Sequence, residues 1–216
     1  MGAEQEKQLA ARAGAELVKD GMRVGLGTGS TVAYLLAELA ARDVKATYVA
    51  SSPRTEEAAR ALGISVEPFF TLDELDIAID GADQIASDGW LIKGGGGAHT
   101  REKIVASCAE RFVVIADARK IVSSLCAPVP LELLAFGLAA TLRHLEPTVL
   151  RDTPRSPDGG LIADYYGDLA DPAALCARLS STPGVLEHGL FAPALGSEIL
   201  VGRGDIVQRF SFGGIE

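Results

Sequence analysis

This chain is poor in the residues that bind metals, cross-link chains or stack on bases. Its 216 residues include three Cys, three His, two Met and one Trp, and aromatic residues make up 6%. Cys108, Cys126 and Cys176 are odd in number and widely spaced, with no C-x-x-C pair. They read as ordinary thiols in a reducing compartment, not as a zinc site or disulfide framework. His99, His144 and His188 are equally scattered, so no metal site is expected. Basic residues are also scarce, at 20 Lys and Arg against 29 Asp and Glu, a net charge of −9. A reader of phosphate backbones needs a basic face, which argues against nucleic acid and anionic membranes as partners. No window approaches the ~18 apolar residues of a membrane span, and the opening MGAEQEKQLAARAGAEL lacks the apolar centre of a secretory signal. A soluble cytoplasmic protein is therefore expected. Internal repeats and low-complexity linkers are missing too.

What is present is a globular composition, 48% apolar and 23% charged, sufficient for a real core. The first half alternates strand and helix patterns. Leu9, Ala13 and Leu17 mark a helix closed by Gly21. Arg23–Gly27 reads as a buried strand running into a helix over Val32–Ala41, and Val44–Ala50 as a second strand. Ser52-Pro53 looks like a helix start, with the helix ending near Gly63. Leu75–Ile79, Trp90–Ile92 and Phe112–Ala116 read as strands, with a helix over Glu102–Cys108. Such alternation predicts a parallel sheet covered by helices. After Pro128 the order becomes β-α-β-β-α-β: Val129–Leu133, Gly137–His144, Thr148–Arg151, Leu161–Tyr166, Pro172–Leu179, Val185–Phe191. That is the split unit of ferredoxin-like domains. Glu198–Val201 then reads as a strand able to rejoin the first sheet. The expected architecture is an α/β domain over 1–127 and 192–216, interrupted by a small α+β domain over 128–191.

Open parallel sheets bind ligands outside the carboxyl ends of their strands, and four motifs fall at such ends. Gly25-Leu26-Gly27-Thr28-Gly29-Ser30-Thr31 joins glycines, hydroxyls and a helix start, the parts of a phosphate cradle. It is neither a P-loop nor a dinucleotide fingerprint, because no Gly-Lys follows and Ser30 stands in place of the third Gly. A merely tight strand-to-helix turn is the plainer alternative. Asp80-Gly81-Ala82-Asp83 places two carboxylates three residues apart, either for chemistry or as a solvated helix cap. Lys93-Gly94-Gly95-Gly96-Gly97-Ala98, followed by Thr100-Arg101-Glu102-Lys103, carries a high entropy cost in its glycines. It suits close backbone approach to a ligand, or else a flexible surface loop. Asp117-Ala118-Arg119-Lys120 is either a further cationic corner or a solvated loop. Together these groups suit metal-free proton transfer next to the carbonyl of a phosphorylated sugar.

The same residues resemble type A ribose-5-phosphate isomerase. The resemblance rests on GLGTGST, on DGAD followed by KGGGGA and REK, on A-D-x-x-K at a strand end, and on PGVLEHGLF late in the chain, in the family's order from about Lys7 onward. It implies a Rossmann-like parallel-sheet domain with an inserted ferredoxin-like lid. It also implies Glu102 as the catalytic base, with Asp80, Asp83 and Lys93 around the reacting carbons and hydroxyls. Thr28, Gly29, Ser30 and Thr31 would bind substrate at its phosphate, with Lys7 and Lys120 as supporting cations, and Gly81, Ala82, Gly94, Gly95 and Gly96 would line it. Gln84, Arg119, Ala135 and Gly160 depart from the family pattern without removing a matched catalytic group.

The implied reaction interconverts ribose 5-phosphate and ribulose 5-phosphate through an enediolate in the non-oxidative pentose phosphate pathway, with no cofactor or metal. A homodimer is expected on the same resemblance. Two rivals stay open: a non-catalytic sugar-phosphate sensor, and another sugar-phosphate enzyme of similar fold, such as an amino-sugar-phosphate deaminase or a coenzyme A transferase. The sensor would keep the cradle but could lack Glu102 and Lys93.

Overall fold

The structure, a computed structural model, describes residues 2–70 and 72–212. Residues 213–216, the tail of the expected closing segment 192–216, lie outside the described residues. The chain divides into two compact units, Met1–Ala82 with Arg101–Lys120 and Pro193–Glu216, and Asp83–Thr100 with Ile121–Ala192. This division groups 83–100 and 121–127 with the second unit, whereas the sequence reading grouped them with the α/β domain.

The first unit is built on a six-stranded sheet in the order Ile206–Ser211, Ser197–Arg203, Ala109–Asp117, Leu75–Asp80, Arg23–Leu26, Thr47–Ala50. All neighbours are parallel except the last hairpin, Ser197–Arg203 with Ile206–Ser211. The central strands are apolar throughout because both faces are covered: Val24, Leu26, Ile77, Ile79, Val113 and Ile115 are fully buried. Each such side chain contributes about 1.5–3 kcal/mol of burial free energy. The helix Ala3–Ala15 packs through Ala10, Ala11, Ala13, Gly14 and Ala15, all buried. Small residues let its backbone come close: a Cβ on Gly14 would already stand 3.0 Å from Ile115 Cγ2. Of the expected stripe only Ala13 is buried, Leu9 and Leu17 being half-buried, and the helix ends at Ala15 rather than Gly21. The small-residue face, rather than the leucines, thus seats this helix.

Numbered by sequence, the sheet order is 6-5-4-3-1-2. The chain reverses direction across the sheet between Arg23–Leu26 and Leu75–Asp80, which are direct neighbours. Carboxyl ends at that reversal form the crevice where such sheets take ligands.

The second unit holds a four-stranded antiparallel sheet in the order Val185–His188, Val129–Leu133, Leu161–Tyr165, Thr148–Leu150. Helices Leu138–His144 and Pro172–Ser181 complete the β-α-β-β-α-β order, and Val129, Leu131, Leu133, Leu145 and Leu179 fill its core. A smaller sheet orders Leu190–Phe191, Leu91–Ile92, Gln84–Ala86 and Ile121–Val122. The expected strand Val185–Phe191 is therefore two strands in two sheets, broken at Gly189. The break has a steric cause. A Cβ on Gly189 would sit 2.1 Å from the carbonyl oxygen of Lys93 and 2.9 Å from Pro130 Cδ. Gly189 instead bonds both neighbours, donating to Pro130 O at 2.7 Å and accepting from Lys93 N at 2.9 Å.

Candidate active site

In the first unit, the strand Arg23–Leu26 ends in Gly27, whose N–H donates to Ile79 O at 2.9 Å. No other residue fits there, because a Cβ would lie 1.8 Å from Asp80 Oδ1. Asp80 is 3% exposed. Its Oδ1 accepts the N–H groups of Thr28 at 3.0 Å and Gly81 at 2.7 Å. The carboxylate thereby knits the ends of the two strands at the reversal point and is held in one orientation.

Thr28 spends its hydroxyl inside the protein. It donates to Ser52 Oγ at 2.8 Å and lies 3.1 Å from both Ser51 Oγ and Thr55 Oγ1. Thr55 Oγ1 in turn donates to Gly27 O at 2.8 Å. The turn is thus tied to the start of helix Pro53–Ala61, where Ser52 Oγ also accepts Thr55 N at 3.1 Å. Past it, Gly29 (φ +127°) and Ser30 are exposed and open the helix Ser30–Arg42 without a side-chain cap. Only glycine adopts that φ without strain. An exposed helix start with its amides unclaimed by a cap is a natural anion seat. Lys7 pairs with Glu4 at 2.7 Å, and Glu4 also accepts a hydrogen bond at 2.8 Å from Tyr34 Oη on the helix Ser30–Arg42. The Lys7 and Tyr34 hydrogen bonds hold the Glu4 carboxyl below its ordinary range.

Lys120 ends the short turn Ala118–Lys120. Buried Asp117 precedes it, paired with Arg119 at 2.8 Å. Burial pushes the Asp117 carboxyl up, but the Arg119 hydrogen bonds outweigh it and hold the group below its ordinary value. This gives the Arg119 departure a job. Glu102, 5% exposed, stands in the first turn of helix His99–Ser107.

In the second unit, Lys93 follows the short strand Leu91–Ile92 and is 2% exposed. Its ammonium lies 5.4 Å from the centroid of the buried Phe191 ring, a cation–π arrangement. Asp83 bonds Ile92 O through its N–H at 2.8 Å, and its Oδ2 accepts Gly95 N at 2.7 Å. Gly94 (φ +100°) turns the run back, where a Cβ would meet His99 Nδ1 at 2.7 Å. Gly95 and Gly96 are exposed, although the Gly95 N–H and carbonyl are already hydrogen-bonded within the protein.

The departures from the family pattern also find local reasons. Gln84 donates Nε2 to Cys126 O and accepts Cys126 N, both at 2.7 Å. A Glu there would lose the donor half of that pair. Gly160 lets Glu132 pack close, since a Cβ there would lie 2.2 Å from Glu132 Oε1 and displace that side chain. Ala135 is exposed.

Sequence reading missed three side chains beside these groups. Arg151 bonds the Gly94 and Gly95 carbonyls and pairs with Asp164. Buried Glu132 accepts the hydroxyls of Thr100 and Ser156. Opposite charges on neighbouring strands were the available signal for Arg151 and Asp164, but it needs the pairing register to be read. Among the described residues, no three His, Cys, Asp or Glu side chains group as metal ligands.

Comparison with known proteins follows the same lines. The pattern of the family described as Ribose 5-phosphate isomerase A (phosphoriboisomerase A) matches residues 47–205. A ribose-5-phosphate isomerase A of Natronomonas pharaonis is 43% identical over 220 residues, covering 96% of this chain and 97% of that protein. The solved ribose 5 phosphate isomerase A of Neisseria gonorrhoeae superposes with a TM-score of 0.92 at 31% identity, covering 97% of each chain. A D-ribose-5-phosphate isomerase solved in complex with phospho-erythronic acid gives a TM-score of 0.92 at 32% identity, over 98% of this chain and 100% of that one.

Proposed function

The chain belongs to the ribose 5-phosphate isomerase A family, and from that premise we propose that it interconverts D-ribose 5-phosphate and D-ribulose 5-phosphate through an enediolate. The step belongs to the non-oxidative pentose phosphate pathway. Glu102 takes the proton from C2 of the open-chain aldehyde and returns it to C1. Meanwhile the hydroxyl proton moves from O2 to O1, with Asp80 or Asp83 assisting that transfer or the ring opening before it. Lys93 and the glycine-run N–H groups stabilise the developing oxyanion without a metal.

The phosphate seats at the exposed start of the helix Ser30–Arg42, with Gly29, Ser30 and Thr31 supplying donors and Lys7 and Lys120 supplying positive charge. Thr28 serves by holding that turn. Gly81, Ala82, Gly94, Gly95 and Gly96 line the sugar.

One observation carries the reading. Glu102 is a carboxylate only 5% exposed, in the first turn of the helix that leaves the glycine run. A buried, oriented carboxylate is what moving one proton between adjacent carbons requires. We also place the protein in the cytoplasm, consistent with three cysteines that form no disulfide, and expect a homodimer. No helix among the described residues is long and apolar enough to cross a membrane.

The test is an isomerase assay with ribose 5-phosphate, repeated with phospho-erythronic acid present. Turnover with competitive inhibition is expected. Tight binding of ribose 5-phosphate without turnover would instead make the protein a sensor.

A further inference from the structure

A run of four glycines costs more conformational entropy to order than any other tetrapeptide. Loop atoms that stabilise an oxyanion must nevertheless be held to a fraction of an ångström. Something must therefore hold this run still, and within the second unit one side chain is built to do so.

Arg151 lies at the end of strand Thr148–Leu150 with its side chain 18% exposed, and Asp164, on the neighbouring strand, is 14% exposed. The guanidinium meets Asp164 through both fork nitrogens, Nε to Oδ2 at 2.8 Å and Nη2 to Oδ1 at 2.7 Å. Its remaining nitrogen, Nη1, donates to Gly94 O at 3.1 Å and Gly95 O at 2.9 Å. Asp164 fixes the plane of the guanidinium, and that plane fixes two successive peptide carbonyls. From the other side Asp83 accepts the Gly95 N–H at 2.7 Å. The Gly94–Gly95 backbone is thus gripped by a cation on its carbonyls and an anion on its amide.

We propose that Arg151, with Asp164 as its fixed counter-ion, is a positioning residue for the isomerisation. It holds the glycine run, and with it the adjoining Lys93, in the arrangement that meets the enediolate. The inference rests on the functional reading above. It demands arginine: a lysine offers one point charge and cannot bind a carboxylate through two nitrogens while holding two carbonyls.

The test measures kinetics and amide hydrogen exchange together on the full-length protein. Arg151→Ala is expected to lose kcat by about 10²-fold, the scale of an ångström's misplacement, with a much smaller change in KM. Added guanidinium should restore part of that kcat. Arg151→Lys, which keeps the charge, and Asp164→Asn, which keeps the shape, should lose kcat while melting near the wild-type temperature. Both should exchange faster than wild type in the segment 93–97, with other segments unchanged. Should Arg151→Ala fail to fold, Arg151→Lys decides the matter. Wild-type kcat and wild-type exchange over 93–97 in the folded variants would overturn the proposal, as would losses that guanidinium does not relieve and that track melting temperature alone. If the wild-type protein does not turn over ribose 5-phosphate, the functional reading falls. The exchange of 93–97 in Arg151→Lys then decides the clamp by itself, unchanged exchange refuting it.

Discussion

A carboxylate that moves a proton between adjacent carbons must be shielded from water and reach both atoms from one position. Glu102, 5% exposed in a helical first turn, meets the first condition. Glu102→Gln is nearly isosteric, so the fold and phosphate binding should persist while proton abstraction fails. The expected loss in kcat is about 10²–10⁴-fold with KM changing far less, read by steady-state kinetics beside a thermal melt. A folded variant within tenfold of wild type would move the base to Asp80 or Asp83. Lys93 calls for the opposite sign of charge. Its ammonium is buried against Phe191, and Lys93→Ala should cost kcat about 10²–10³-fold, the scale of one oxyanion donor. At this scale the sequence nominates the candidate residues and is a poor guide to how they are held. The DGAD motif showed two carboxylates, Asp80 and Asp83, three residues apart in sequence. It did not show that Asp80 takes two backbone N–H groups while Asp83 takes one from the glycine run.

Elements are joined in the first unit by a carboxylate outside the catalytic set. Glu6, on helix Ala3–Ala15, accepts Gly204 N at 2.9 Å and Ala118 N at 3.2 Å. It thereby ties that helix to the turn of the closing hairpin and to the turn before Lys120. Gly202 permits the approach, since a Cβ there would lie 1.9 Å from Glu6 O. The Gly204 hydrogen bond, then that of Ala118, holds the Glu6 carboxyl below its ordinary value of 4.5. A depressed carboxyl contributes stability above its unfolded value, and that stability is lost as pH falls through the lower folded value. Glu6→Gln should therefore lower the melting temperature at neutral pH. The gap to wild type should close on acidification below about pH 4. A gap that stays constant down to pH 2 would refute the assignment. Element boundaries were legible wherever a local cap marks them. Ser52-Pro53 opens its helix as expected, with Ser52 accepting Thr55 N. They were not legible where a contact distant in sequence decides, as at Gly189 between Lys93 and Pro130.

Over the whole molecule, binding energy from a remote phosphate can be used to lower the barrier at the reacting carbons. Unphosphorylated ribose should accordingly lose kcat as well as affinity. Equal kcat/KM for ribose and ribose 5-phosphate would remove the phosphate role from the Gly29–Thr31 turn. On the proposed mechanism the charge at the oxyanion is met by Lys93 and backbone donors, so activity should survive dialysis against EDTA. Loss on chelation, restored by a divalent ion, would recast Asp80 and Asp83 as metal ligands.

The sequence by itself determined the strand-and-helix alternation, the change of rhythm after Pro128, and the placing of chemical motifs at strand ends. Each of these is written in short-range patterns: apolar runs, helical spacing, and glycines where chains must turn. Only the tertiary structure decided the strand order, with Arg23–Leu26 beside Leu75–Asp80. It alone revealed the strands Gln84–Ala86 and Ile121–Val122, too short to show any period. The grip of Arg151 on the glycine run also appeared only there. These depend on which distant segments pair and in what register. Pairing is settled by the joint burial of surfaces and the saturation of backbone hydrogen bonds across the fold, and no local stretch of residues carries that information.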